Sequence, residues 1–190
     1  MEFKNKELEK FEKKLESQKV AVIGLGVSNI PLIDYLHSKN ADVSVFDDRE
    51  EEKINKEIIE KIKKYGFEYY LGRENLKNLI GFDLIFRSPS CLPTKPELVA
   101  EINRGAIVTT EIEQLMKLAP CKIIGITGSD GKTTTTTLTY EILKKAFNDR
   151  VHLAGNIGYP LCSILDKVVD DDIIVMEVSA QQGENLVTFK

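Results

Sequence analysis

Along most of this chain, short runs of β-branched and aromatic residues alternate with stretches in which apolar positions recur every three or four residues. The first kind reads as strands buried on both faces, the second as amphipathic helices. Strands are predicted over 19–23, 43–46, 67–71 and 84–86, with helices from Ser28 onward and over 54–64. After Ser88-Pro89-Ser90 and the 93–96 segment the alternation continues with a helix, a strand at 106–108 and a helix over 111–118. Pro120 biases the residue before it away from helical geometry, and a new series begins there. That series reads as a strand at 122–126, a helix over 133–147, a short strand near 151–153 and a strand within 172–178. Ahead of it all, residues 2–17 carry Leu8, Phe11 and Leu15 on one stripe, with Glu9 and Lys13 four apart outside it, which predicts a helical extension. Strand, helix and strand in repeated succession require parallel sheets with helices on their faces.

Composition removes several alternatives. With 190 residues, 42% hydrophobic and 29% charged, the chain is too apolar for disorder and too broken for a coiled coil. Lysine and arginine total 26 against 30 aspartates and glutamates, a net charge of -4, so there is no broad basic field for a nucleic-acid backbone or an anionic membrane. A local anion site stays compatible with that balance. No apolar run approaches the roughly 20 residues that span a bilayer, and the charged start has no apolar stretch behind it, so a cytoplasmic protein is expected; a monomer is a separate expectation. Cys91, Cys121 and Cys162 are odd in number and far apart, which fits three reduced thiols better than disulfides or a zinc site. His37 and His152 have no partner nearby in sequence and read as surface or packing residues.

Two glycine loops carry the candidate chemistry. In the first, a strand opens through Gly24-Leu25-Gly26-Val27-Ser28-Asn29 into a helix, whose N-terminal amides and roughly half positive charge suit a phosphate or pyrophosphate. A dinucleotide fingerprint wants a third glycine where Asn29 stands, so the match is partial. Asp47 ends the next strand, where an acid meets a ribose in NAD proteins, and Arg49 follows it. These residues imply a nucleotide-like ligand without choosing one. An unliganded turn, with Asp47 as a helix cap, is the structural alternative.

The second loop says more. Strand 122–126 delivers Thr127-Gly128-Ser129-Asp130-Gly131-Lys132-Thr133-Thr134, a short variant of the P-loop with Ile126 where the usual spacing has glycine. Its amides can wrap phosphate oxygens, Lys132 adds a point charge, and the Thr133 hydroxyl can ligate magnesium. Further on, an apolar strand ends in Glu177, placed as a carboxylate that reaches the same metal.

Together with Gly155-Asn156-Ile157-Gly158 and Glu177-Val178-Ser179, this loop resembles the central domain of the Mur ligases, ATP-dependent amide ligases of peptidoglycan precursor assembly. The first half resembles their D-glutamate-adding branch through residues 24–29, Val45-Phe46-Asp47-Asp48-Arg49, Ser88-Pro89-Ser90 and Glu111-Ile112-Glu113. The implied fold is α/β, with a Rossmann-like parallel-sheet domain over 19–120 following an extension over 1–18. The first part of a P-loop α/β domain then covers 121–190.

The resemblance implies that Gly24, Leu25, Gly26, Val27, Ser28, Asp47, Arg49, Ser90 and Asn156 bind a UDP-N-acetylmuramoyl-peptide, Asp47 at the uracil edge and Arg49 on its face. Gly128, Ser129, Asp130, Gly131, Lys132, Thr133 and Thr134 would hold ATP, Thr133 and Glu177 would serve Mg2+, and Lys132 and Glu177 would be catalytic. The implied reaction adds D-glutamate to UDP-N-acetylmuramoyl-L-alanine through an acyl phosphate.

Departures from the family pattern stand at Asp130, for asparagine or histidine, at Ser90, for glycine, and after Glu177. There Ser179-Ala180-Gln181-Gln182 replaces Ser-Ser-Phe-Gln. A family ligase also needs a further magnesium-binding lysine and histidine and a C-terminal domain that seats D-glutamate. The 190-residue chain is therefore expected to bind nucleotide without ligating. A non-catalytic nucleotide-binding fragment and an NAD-binding Rossmann module are the alternatives.

Overall fold

The structure is a computed structural model that describes residues 5–183. The chain divides into two compact units, residues 11–111 and residues 112–183 together with 5–10. Helix α1 (Lys6–Leu15) ends two residues before the predicted 17, and the predicted residues 2–4 lie outside the described ones. The Asn5 side chain accepts from the Leu8 amide at 3.1 Å and so caps the helix start.

The first unit runs β1 (Lys19–Ile23), α2 (Asn29–Ser38), β2 (Asp42–Asp47), α3 (Lys56–Tyr65), β3 (Glu68–Leu71), β4 (Leu84–Arg87), α4 (Pro96–Asn103) and β5 (Ile107–Thr109). All its strands are parallel, in the order β3-β2-β1-β4-β5, with Val20 in register with Val43 on one side and Leu84 on the other. β1 is the central strand, and Val20, Ala21, Val22 and Ile23 are all buried, as a strand covered on both faces requires. Strand order reverses beside β1. The loops leaving β1 and β4 therefore diverge and open a crevice between them. Ile23, Leu76 and Cys91 line it and belong to the core cluster that also includes Ala21, Phe46 and Ile85. Phe46 stacks on Tyr70 at 5.1 Å and meets Phe82 edge-on at 5.6 Å.

The helix ends follow local chemistry. Asn55 accepts from the Glu57 amide at 2.9 Å, which moves the start of α3 past the predicted Ile54. Gly66, at φ 72°, ends it in the left-handed conformation that glycine favours.

The second unit runs α5 (Glu111–Leu118), β6 (Lys122–Ile126), α6 (Lys132–Phe147), β7 (Val151–Gly155), β8 (Ile173–Glu177) and α7 (Ala180–Gly183), its strands parallel in the order β6-β8-β7. β8 is central here, with Ile174, Val175 and Met176 fully buried. The short α7 is absent from the sequence expectation. It is held by a reciprocal cap in which the Ser179 amide donates to Gln182 Oε1 at 2.7 Å and the Gln182 amide to Ser179 Oγ at 3.2 Å. The first and last positions of the divergent 179–182 segment thus make a defined turn. His152 gains a partner that proximity in sequence does not reveal, since its Nε2 lies 2.9 Å from Asp172 Oδ2.

One buried carboxylate supports the first unit. Glu101 on α4 has no solvent exposure; its Oε2 accepts from the amides of Gly81 and Phe82 at 2.9 Å each, and Arg104 pairs with it. Glu101→Ala should leave both amides without an acceptor and cost about 2–3 kcal/mol. The measurement is urea unfolding, where the midpoint should fall at unchanged slope.

Candidate functional site

In the first unit the hydrogen-bond ladder runs past the strand ends. The Gly24 amide donates to Phe46 O at 2.7 Å and the Ser88 amide to Ile23 O at 2.8 Å, which holds the two loops level at the carboxyl edge of the sheet. Gly24 has φ 88°, and a Cβ there would lie 2.7 Å from Ser88 Oγ, so both backbone and space require glycine. Gly26 differs, because nothing lies within 4 Å of where its Cβ would be. That gap is open to a ligand. At the position of the missing third glycine, the buried Asn29 amide donates to Ile23 O at 3.0 Å and Gly24 O at 2.8 Å. It stitches the start of α2 to the strand end.

Asp47 is consumed inside the protein. Its Oδ1 accepts from the Arg49 amide at 3.0 Å and Arg49 Nε at 2.7 Å, and its Oδ2 from the Leu25 amide at 2.7 Å and Arg49 Nη2 at 2.8 Å. Four donors fill the capacity of a carboxylate. Burial raises its proton affinity, but the Arg49 side-chain bond, the Leu25 and Arg49 amides and the Arg49 charge outweigh that, and its pKa falls below the ordinary carboxylate value. Asp47 therefore ties the β1 loop to the β2 end.

These loops line a crevice of about 250 Å³. Of the residues expected there from sequence, Gly24, Leu25, Gly26, Asp47, Arg49 and Ser90 line it. Val27 and Ser28 do not, and Val27 is 84% exposed. Asp48 and Ser88, both within the quoted motifs, line it too, as do Asn75, Cys91 and Lys95, which no sequence signal marked. These last three sit on turns after β3 and β4, and only the strand order carries them to the crevice. Asn75 donates from Nδ2 to Gly72 O at 2.6 Å, while its buried Oδ1 has no partner. Buried Arg87 donates to Cys91 O at 3.0 Å and braces the β4 loop. Glu111 and Glu113 do not line the crevice; burial pushes the Glu111 carboxyl up to about 8.

In the second unit Gly131 takes the N-cap position of α6 at φ 70°, left-handed and open on the side a Cβ would occupy. Lys132 Nζ donates to Gly128 O at 2.8 Å and Ser129 O at 3.1 Å, so its ammonium lies on the loop carbonyls. Ser129, Asp130, Thr133 and Thr134 are exposed. Beneath them Thr136 is fully buried and donates to Lys132 O at 2.8 Å, fixing the first turn.

Glu177 ends β8 in register with Ile126 of β6 and Gly155 of β7. It is 6% exposed, and its buried Oε2 has no hydrogen-bond partner. Leaving such an acceptor unpaired costs about 1–3 kcal/mol, more when it is charged, which a bound cation would offset. The Asn156 amide donates to Glu177 O at 3.1 Å, tying the 155–158 turn to the same strand end. A Cβ on Gly155 would lie 2.2 Å from Glu177 O and one on Gly158 2.6 Å from Leu153 O, so both glycines are demanded by close backbone approach. The 127–134 loop, Glu177 and Asn156 thus share one edge of one sheet. No group of three His, Cys, Asp or Glu among the described residues could hold a metal, so a cation here would draw on Thr133, Glu177 and its own anionic ligand. Among the described residues no helix is long and apolar enough to cross a membrane.

Residues 18–110 match the family model described as Mur ligase MurD-like, N-terminal domain, and residues 126–189 match the Mur ligase middle domain. The UDP-N-acetylmuramoylalanine–D-glutamate ligase of Ruminiclostridium cellulolyticum is 45% identical over 186 residues, which is 98% of this chain and 39% of that protein. The ligase of the same name from Acetivibrio thermocellus is 44% identical over 178 residues, 94% of this chain and 38% of its own. The chain therefore spans under two fifths of the length of these relatives. A solved UDP-N-acetylmuramate:L-alanyl-gamma-D-glutamyl-meso-diaminopimelate ligase from Neisseria meningitides shares the fold at TM-score 0.51 and 19% identity, covering 84% of this chain and 52% of its own.

The Asp47 clasp sets a pH dependence. Its folded pKa is lowered from 3.8, so its contribution to stability is present above that value and lost as pH falls through the folded one. Asp47→Asn should lower the thermal midpoint at neutral pH and show a smaller loss than the unsubstituted chain on acidification below about pH 4, followed by circular dichroism at stepped pH.

Proposed function

Because the chain belongs to the Mur ligase family, carrying its MurD-like N-terminal domain and middle-domain residues, we propose that it forms the substrate- and ATP-binding part of a D-glutamate-adding ligase. The UDP end of UDP-N-acetylmuramoyl-L-alanine occupies the crevice of the 19–120 domain. The loop at Gly26, open where a Cβ would stand, receives its pyrophosphate at the start of α2, Arg49 and Ser90 flank it, and Asp47 serves by holding the Leu25 amide and Arg49 in place. Residues 128–134 of the 121–190 domain take the ATP phosphates, and Asn156 faces the peptide carboxylate. Nucleotide substrates of this kind place the protein in the cytoplasm.

The observation that carries this reading is Glu177, a buried carboxylate with an unpaired oxygen, in register with the strand that delivers a glycine loop, a lysine and a hydroxyl. Thr133 and Glu177 fit a magnesium ion, whose contribution when bound is to neutralise phosphate charge. Lys132 exchanges the carbonyls of Gly128 and Ser129 for phosphate oxygens. In the reaction a carboxylate oxygen of the muramoyl-alanine attacks the γ-phosphorus, the bond to the bridging oxygen breaks, and ADP leaves. The amine of D-glutamate then attacks the acyl carbon of the acyl phosphate, inorganic phosphate leaves, and the nitrogen loses a proton. Two anions must meet in the first step, so the task of this chain is positioning and charge neutralisation.

Isothermal titration tests the assignment. The unsubstituted chain should bind ATP more tightly with Mg2+ present; Lys132→Ala should weaken ATP at least about tenfold with UDP binding unchanged, and Glu177→Gln should remove most of the Mg2+ enhancement. Equal ATP affinity in the Lys132→Ala variant would sink the reading.

A further inference from the structure

The charge balance of the first crevice is incomplete for the ligand proposed above, and the inference rests on that reading. A sugar-linked uridine diphosphate brings two ionised phosphates into a lining that already includes Asp47 and Asp48. Two cationic side chains line the crevice, Arg49 and Lys95. Arg49 is committed, with Nε and Nη2 donating to Asp47 at 2.7 and 2.8 Å and Nη2 also to Leu25 O at 3.2 Å, so its charge is matched within the protein. The start of α2 adds about half a positive charge, too little for two phosphates beside Asp48.

Lys95 is the cation left over. It is exposed, and among the described residues its ammonium has no hydrogen bond or ion pair. Its position is set by the β4 loop. The Ser88 amide donates to Ile23 O at 2.8 Å, the Cys91 amide to Ser88 O at 3.0 Å and the Lys95 amide to Leu92 O at 3.2 Å, folding the segment in successive turns beside the end of β1. Ser88 closes on Gly24 itself, as the 2.7 Å approach to a Cβ there shows. The Cys91 thiol, which lines the crevice, lies within the field of Lys95. We propose that Lys95 is a phosphate-binding residue of this crevice, holding the diphosphate from the β4 side while the open loop at Gly26 and the start of α2 hold it from the β1 side. A lysine suits the place, since a flexible point charge can follow either phosphate without the fixed geometry that a guanidinium needs.

The test compares UDP with uridine on the 190-residue chain by isothermal titration at low and moderate salt. Lys95→Gln should weaken UDP about five- to tenfold, leave uridine unchanged and reduce the salt sensitivity of UDP binding, while Lys95→Arg keeps most of the UDP affinity. The side chain is exposed and unbonded, so both variants should fold, which their thermal midpoints verify. Unchanged UDP affinity in Lys95→Gln overturns the role of Lys95 and leaves the crevice assignment standing. Equal loss for UDP and uridine also overturns it, because a phosphate contact cannot act on uridine. Failure of the unsubstituted chain to bind either ligand removes the crevice assignment and the lysine with it.

Discussion

Hydrogen bonding that continues one residue beyond the strands is the constraint on which both sites depend. Gly24 bonds to Phe46 and Ser88 to Ile23 in one unit, Val178 to Ile126 and Asn156 to Glu177 in the other. Each bond carries the order of a parallel sheet into the loop that follows, so the loop amides are aimed before any ligand arrives. The geometry also fixes where glycine is needed. A loop held this close to its neighbour leaves no room for a Cβ at Gly24 or Gly155, whereas Gly26, a short step away, faces open space. Glycines in one motif thus do different work, some permitting the fold and one leaving space beside it.

Two buried carboxylates show how burial alone misleads about function. Asp47 and Glu177 both end strands, and both are almost wholly removed from solvent. Asp47 has four donors and is spent on the scaffold, with Arg49 pinned in the same exchange. Glu177 keeps an oxygen without a partner. An acid fully paired inside the protein organises its surroundings, and one left with an unpaired oxygen beside an exposed glycine loop still has an acceptor to offer. The distinction turns on partners, which pairwise proximity in sequence cannot count.

Most of the architecture was legible in advance because a parallel sheet buries both faces of its strands. β1 coincides with the apolar run at 19–23 and α5 with the periodic stretch at 111–118, whereas β6, at 122–126 as expected, is an edge strand of the order β6-β8-β7 with none of its residues fully buried. Where local side chains compete for backbone amides, boundaries moved, as Asn5 and Asn55 show at the starts of α1 and α3. The reciprocal cap of Ser179 and Gln182 made a helix too short for any periodicity to reveal. His152 looked solitary, but Asp172, twenty residues away, sits beside it because β7 and β8 are neighbours.

The glycine loops, the lysine and hydroxyl of the second one, and the acid at the end of an apolar strand were all present in the residue order, because each is a contiguous strand-to-loop-to-helix unit whose chemistry is local. The membership of the crevice was not. Asn75, Cys91 and Lys95 lie 28 or more residues past Asp47 in the chain and reach it through the strand order β3-β2-β1-β4-β5. Packing also decided which charges are free: Asp47 and Arg49 cancel each other, while Glu177 and Lys95 remain available. Charge and hydrogen-bond saturation depend on distances of a few ångströms between segments far apart in sequence, and folding sets those distances.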